Sequence, residues 1–325
     1  MTCSRRTILR GLALAPALFH GYLPRCLADT EFFPEPEVSG FIPVRGGTIW
    51  YRVNGRRHFA NGRTPLLALH GGPGSTHHYL LPLTDLADER PVILYDQLDC
   101  GLSERPGNAA NWTTDRFVSE IDSIRQFLGL SRVALYGNSC GATWVAEYAV
   151  RQPQGLESII LASPFLSAAR YRADAARLRA LLPSDIRAAL DLHEAQGTTD
   201  SDEYQNASLF WLERHVCRKL PWPDYIQRTI ELFSNDLYHY MWGHSEADIS
   251  GTLKDYDLTD RLDQISARTF YLCGEHDETT PQATRYFASR TPGARFQEFA
   301  GASHTPHIEK RDEFMAVCRE FLRSA

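Results

Sequence analysis

The chain has 325 residues, 43% of them hydrophobic, and a formal net charge of −6, with acidic and basic residues interspersed beyond the first few positions. That length supports one sizeable α/β core with a smaller insertion rather than two large domains. No basic stripe suited to a phosphate backbone is visible, so nucleic-acid binding is not expected, and a mildly acidic chain leans toward neutral or cationic small molecules.

Residues 1–30 read MTCSRRTILRGLALAPALFHGYLPRCLADT: a basic start, a short apolar run broken by Arg10 and His20, then the small residue Ala28. The run is too short and too interrupted to span a bilayer, so no stable membrane span is expected. With Arg5 and Arg6 adjacent in SRRTILR, the segment resembles a twin-arginine export signal. That resemblance implies a signal peptide over residues 1–28, export of the folded precursor by the twin-arginine machinery, and a bacterial periplasmic or secreted location. A basic N-terminus on a cytoplasmic protein is the alternative. Cysteines stand at 3, 26, 100, 140, 217, 273 and 318, with no CxxC and no metal-ligand spacing. Dispersed in this way, the five beyond the leader read as small buried hydrophobes, with one bridge left open.

Residues 41–53 (FIPVRGGTIWYRV) alternate around Gly46 and Gly47 and predict a hairpin. Short apolar runs follow at 66–69, at 91–95 (PVILY), at 132–136 (RVALY), at 156–162 (LESIILA), at 269–273 (TFYLC) and at 295–299 (RFQEF). They are of the kind buried in a parallel sheet, and the segments between them are long enough for crossover helices. A doubly wound sheet binds its ligands at the carboxyl ends of its strands, where the Gly-rich turns of this chain fall. From 167 to 263 the rhythm changes. Residues 170–196 are amphipathic and helical, divided by Pro183, and an aromatic-rich stretch follows without a βαβ pattern. This segment is expected to be a helical cap inserted between a first core part, 29–166, and a second, 264–325.

The string GNSCG at 137–141 is a G-x-S-x-G pattern with an apolar strand before it and a small-residue-led helix after it. Such a turn exposes the Ser139 hydroxyl at the sheet edge, and the helix beginning at Cys140 aims unpaired amides at the same place. A serine nucleophile needs a base and the base an orienter. Asp277, in GEHDETTP, and His304, in SHTPHIE, stand on later post-strand turns in the order serine, acid, histidine. Glu275 and Glu278 compete for the acid's place and His307 for the base's. Asp277 is preferred by its position before the Thr-Thr-Pro turn, and His304 because His307 is expected in the following helix. In HGGPG at 70–74 the amide near Gly72 is the candidate second oxyanion donor beside that of Cys140, while His70, Gly71 and Gly74 support the loop. Asp96 and Gln97, in YDQLDCGLS, are expected to pack against it. No HExxH, EF-hand, P-loop or dinucleotide pattern is present, and neither a cofactor nor a metal is expected.

Taken together, HGGPG, the Asp96-Gln97…Gly101…Ser103 element, GNSCG, the GEHD turn, SHTPHIE and the stretch MWGHSEADISGTLKDYDLTDRLDQI resemble, in order, the proline iminopeptidase family of serine α/β-hydrolases, over roughly residues 41–321. The resemblance implies an α/β-hydrolase fold, a mostly parallel sheet with an inserted cap. It further implies release of an N-terminal residue, often proline, from small peptides or amino-acid amides, with the free α-amine held by cap glutamates. Carried over, Glu246 is the first candidate amine clamp and Glu203 the second. The chain departs from the family at Cys140 (commonly Trp), Asp99 (commonly Gly) and His244 (commonly Pro), which bears on proline specificity more than on hydrolysis. Two rivals stand beside this reading: an esterase or lactonase using the same triad, and a non-catalytic small-ligand binder on a hydrolase scaffold. The oligomeric state is not legible.

Overall fold

The computed structural model describes residues 31–323. The leader read at 1–28, its paired arginines and the cleavage point near Ala28 lie outside the described residues.

Eight strands form one sheet: β1 (Val38–Val44), β2 (Gly47–Asn54), β3 (Leu66–Leu69), β4 (Val92–Tyr95), β5 (Val133–Asn138), β6 (Leu156–Ala162), β7 (Arg268–Gly274) and β8 (Arg295–Phe299). Their spatial order is β1-β2-β4-β3-β5-β6-β7-β8. The predicted hairpin is β1–β2, turning at Gly46 with φ 97°, and β2 also pairs antiparallel with β4. From β4 through β8 every pairing is parallel. All four residues of β3 and all four of β4 are buried, as both faces of a parallel sheet are covered by crossover helices.

The helix Thr114–Leu128 shows how the sequence encodes such a crossover. Thr113 caps its N-terminus by accepting from the Arg116 amide, and Gly129 ends it in the left-handed region at φ 68°. Phe117, Ile121 and Ile124 recur at helical spacing on its buried face, each contributing about 1.5–3 kcal/mol of burial.

The chain leaves β3 toward β4 on one side and β5 toward β6 on the other, so β3 and β5 flank the topological switch point. A crevice opens there because the two connections diverge. HGGPG follows β3 and GNSCG closes β5, which places both loops at that crevice.

Between β6 and β7 lie the helices Ala168–Ala180, Ser184–Gln196, Asp202–His215, Asp224–Glu231 and Asn235–Met241. Pro183 sits at the N-cap of the second. Their aromatic residues Tyr204, Trp211, Tyr225 and Tyr238 are buried, together with Trp242. Cys100, Cys140, Cys217, Cys273 and Cys318 are all free and buried. Among the described residues no helix is long and apolar enough to cross a membrane.

Candidate active site

Ser139 sits between β5 and the helix Cys140–Ala149 at φ 56°, ψ −126°, a conformation unfavourable for a residue with a Cβ. Tight packing around the two flanking glycines holds it there. A Cβ on Gly141 would lie 2.3 Å from the Leu69 carbonyl oxygen, and one on Gly137 2.4 Å from that of Gly141. The helix thus presses directly on the end of β3, and the turn has no slack to relax.

Asp277 and His304 meet in the structure: His304 Nδ1 lies 2.7 Å from Asp277 Oδ1, both side chains buried. The same Asp277 oxygen accepts from the amide and hydroxyl of Thr279, at 2.9 and 3.0 Å, which aims the carboxylate at the ring. The His304 carbonyl accepts from Asn138 Nδ2 at 3.3 Å and from the Ser163 hydroxyl at 3.0 Å, tying the histidine loop to the residue before Ser139. Burial by itself would lower the His304 pKa. The Asp277 charge, backed by Glu278 and Glu246, outweighs it and raises the value to about 9. The rival residues go elsewhere. His307 is in the next helix, Pro306–Glu309, its Nε2 3.1 Å from the Tyr79 carbonyl oxygen, and burial lowers its pKa to about 3. Glu275 turns outward and accepts from the Gly301 amide at 2.8 Å.

Cys140 directly follows this serine and Gly72 follows Gly71 in the neighbouring loop, and among the described residues neither amide donates a hydrogen bond. The neighbouring Gly71 amide is already engaged by the Tyr79 hydroxyl at 2.7 Å, and that hydroxyl donates to Asn138 Oδ1 at 2.9 Å. Gly71 also approaches the nucleophile closely: a Cβ there would lie 2.8 Å from the Ser139 Cβ. His70, Asp96 and Gln97 are buried supports. The Gln97 amide donates to His70 Nε2 at 3.0 Å and its side chain to the His70 carbonyl at 2.7 Å. Burial lowers His70 to about 4, so the ring is neutral and accepts. Asp96 takes the His77 and Leu102 amides at 2.6 and 2.8 Å. Gly74 meets the cap, its carbonyl accepting from the Ser234 amide at 2.8 Å.

Asp99 adopts the left-handed backbone that favours glycine, at φ 67°. Its carboxylate accepts from the Trp112 indole at 2.8 Å and the Gly107 amide at 2.7 Å, bracing the loop rather than adding an unpaired charge. His244 is exposed and stacks on His239 with ring centroids 4.1 Å apart.

Of the two glutamates expected to bind an amine, one is at the site. Glu246 accepts from the Tyr238 hydroxyl at 2.6 Å, and its backbone carbonyl accepts from the Tyr171 hydroxyl at 2.9 Å. Glu203 requires correction. It lies exposed on the first turn of the helix Asp202–His215, where negative charge suits the helix N-terminus, with its carboxylate 3.4 Å from His193 Nε2. The second carboxyl beside Glu246 is Glu278, which is 3% exposed. One Glu278 oxygen lies 3.9 Å from His304 Nδ1 and the other accepts from the Trp211 indole at 2.9 Å. Glu246 and Glu278 lie close enough for their titrations to influence each other. Burial raises both pKa values, and the Glu246 charge raises Glu278 further. Sequence reasoning missed Glu278 because it follows the orienting aspartate and reads as an ordinary loop charge.

The arrangement is a strained serine, a base with its orienter, two available amides and a buried acidic pair that calls for a positive charge. Comparison with known proteins places it in a family. The alpha/beta hydrolase fold model matches residues 64–311. The proline iminopeptidase of Heyndrickxia coagulans is 42% identical over 289 residues, covering 88% of this chain and 99% of that one. Among solved structures, VinJ superposes with a TM-score of 0.86 at 38% identity, covering 89% of this chain and 99% of the other. The proline iminopeptidase of Mycobacterium smegmatis gives 0.81 at 38% identity, covering 88% and 98%. An N-acyl homoserine lactone degrading enzyme, Est816, matches at 20% identity with a TM-score of 0.64, which is a likeness of fold alone. The chain therefore belongs to the proline iminopeptidase family of α/β-hydrolases and is an enzyme of the serine-hydrolase type.

Proposed function

We propose that this enzyme releases an N-terminal amino acid, proline or another small or apolar L-residue, from small peptides or amino-acid amides through an acyl-enzyme. The observation that carries the reading is the buried Glu246–Glu278 pair set against the triad histidine. Two carboxyls shielded from water bind an ammonium group strongly and penalise its acylated, neutral counterpart. Relatives named proline iminopeptidases at 42% and 32% identity support the same substrate class.

In this mechanism the substrate ammonium is held by the Glu246 and Glu278 carboxyls. Ser139 Oγ attacks the carbonyl carbon while its proton passes to His304 Nε2, and Asp277 holds Nδ1–H and stabilises the imidazolium. The oxyanion rests on the Cys140 and Gly72 amides. Collapse breaks the C–N bond as His304 protonates the leaving amine. Water, deprotonated by His304, then cleaves the ester and frees the amino acid.

The test is a panel of β-naphthylamides of proline, alanine and phenylalanine, their N-acetylated forms and p-nitrophenyl acetate, run beside Ser139→Ala. The expected result is cleavage of free-amine naphthylamides, little turnover of the acetylated forms, and loss of turnover in the variant. Ester cleavage with no advantage for a free amine would transfer the case to the esterase or lactonase reading. Failure on every substrate would favour a non-catalytic binder.

We also propose that the precursor is exported through the twin-arginine machinery and acts in the periplasm or outside the cell, on the strength of SRRTILR and the apolar run after it. Expressed in a bacterium with that machinery, the protein should appear outside the cytoplasm with a mass shortened by about 28 residues. Arg5→Lys with Arg6→Lys should retain it inside. A cytoplasmic, full-length product from the unaltered gene would refute export.

A further inference from the structure

We propose that Trp211 is a positioning and specificity residue of this enzyme, its indole N–H holding the Glu278 carboxyl ready for an incoming ammonium group. The inference rests on the amine reading above. Trp211 is buried on the last turns of the cap helix Asp202–His215, and its Nε1 donates to Glu278 Oε2 at 2.9 Å. An indole nitrogen is a donor only. It therefore occupies one accepting site of Oε2 and leaves Oε1, the oxygen 3.9 Å from His304 Nδ1, the less engaged of the two for a proton or an ammonium group. Glu246 has no such constraint, because the Tyr238 hydroxyl facing it both donates and accepts. Trp211 is what makes the two carboxyls unequal.

The position of the indole is itself fixed by the catalytic loops. Its ring packs on His215 with centroids 4.6 Å apart. His215 Nδ1 lies 2.9 Å from the His276 carbonyl oxygen, next to Asp277, and the His215 carbonyl accepts from the His304 amide at 3.2 Å. The Thr305 hydroxyl adds a bond to the Val216 carbonyl at 2.9 Å. One turn of the cap thus touches both loops of the triad and delivers a single N–H to the carboxyl between them. Loss of that N–H favours the protonated form of Glu278, because the hydrogen bond supports the charged form.

The experiment compares Trp211→Phe, Glu278→Gln and the double variant on an alanine amide and on p-nitrophenyl acetate. Trp211→Phe should raise KM for the amide on the order of tenfold with kcat within about twofold, and leave ester turnover unchanged. The acid limb of kcat/KM for the amide should move to higher pH. In the Glu278→Gln background the same substitution should add nothing, since it acts through Glu278. Equal losses of kcat on both substrates, or full additivity in the cycle, would overturn the proposal and leave Trp211 a packing residue. If Trp211→Phe does not fold, Trp211→His and Trp211→Leu take its place. The histidine N–H should keep KM for the amide lower than leucine does, and equal values overturn the proposal. Should Glu278→Gln leave the preference for a free amine intact, the amine reading itself fails, a result visible without any Trp211 variant.

Discussion

The Asp277→Asn variant is expected to turn over between about 10²- and 10⁴-fold more slowly than the native enzyme, with KM little changed. In the general template the upper figure arises because asparagine turns its NH₂ toward the imidazole and imposes the wrong tautomer. Here the Thr279 amide donates to the same oxygen that faces His304. An asparagine that kept this bond would keep its carbonyl toward Nδ1–H, and the loss would come from the missing charge instead. Its NH₂ would then replace Asp277 Oδ2, a buried atom with no hydrogen-bond partner among the described residues, so a loss of stability should accompany the loss of rate. The pH profile separates the two causes. With Asp277 ionised, His304 is held up to about 9, so as free enzyme it becomes a competent base only as pH rises toward that value. Removing the charge lowers the histidine pKa and moves the limb of kcat/KM that reports it to lower pH. A rate within about tenfold of native would show that Asp277 is not the required orienter. Glu278, with an oxygen 3.9 Å from Nδ1, would be the residue to suspect.

Glu278→Gln and Glu246→Gln should each cost free-amine substrates about 2–4 kcal/mol in kcat/KM, roughly 30- to 700-fold, while p-nitrophenyl acetate is cleaved at near-native rates. The reason is that a buried ammonium loses one of two counter-charges and no water replaces it. The native enzyme should also show a pH optimum for free-amine substrates. At low pH the raised carboxyls are protonated and the ammonium must displace a proton to bind; above about 8 a substrate α-amine is itself neutral. In the glutamine variants the acid limb should flatten, because the residues that titrate there are fewer. A uniform drop on amide and ester together would instead point to damage at the triad, and an unchanged ratio between them would remove the acidic pair from substrate binding.

The candidate residues that sequence reasoning named and the structure brings together share one property: each is recognised by its neighbours in the chain. A strand, a G-x-S-x-G turn and a helix follow one another at 133–149, so the nucleophile turn is legible wherever that order occurs. Asp277 and His304 each stand on the turn that follows a strand, β7 and β8, and the parallel sheet aligns the ends of successive strands on one edge, at 2.7 Å for this pair. Asp99 shows the limit of a local reading. In sequence it reads as an added charge beside the site, yet Trp112, thirteen residues on, and Gly107 take up its oxygens.

By itself, the sequence determined the fold class and the inserted helical segment and brought Ser139, Asp277 and His304 forward as candidates, because hydrophobic period, turn chemistry and strand-end position are local properties of the chain. Which glutamates are buried beside His304 was decided only by tertiary structure. Glu203 and Glu278 are each carboxylates on polar stretches, indistinguishable by pattern. Burial separates them: Glu278 is buried against Trp211, 67 positions away, and feels the charge of Glu246 on another part of the cap. A charge becomes a binding group when distant parts of the chain remove its water, and no window of sequence contains that event.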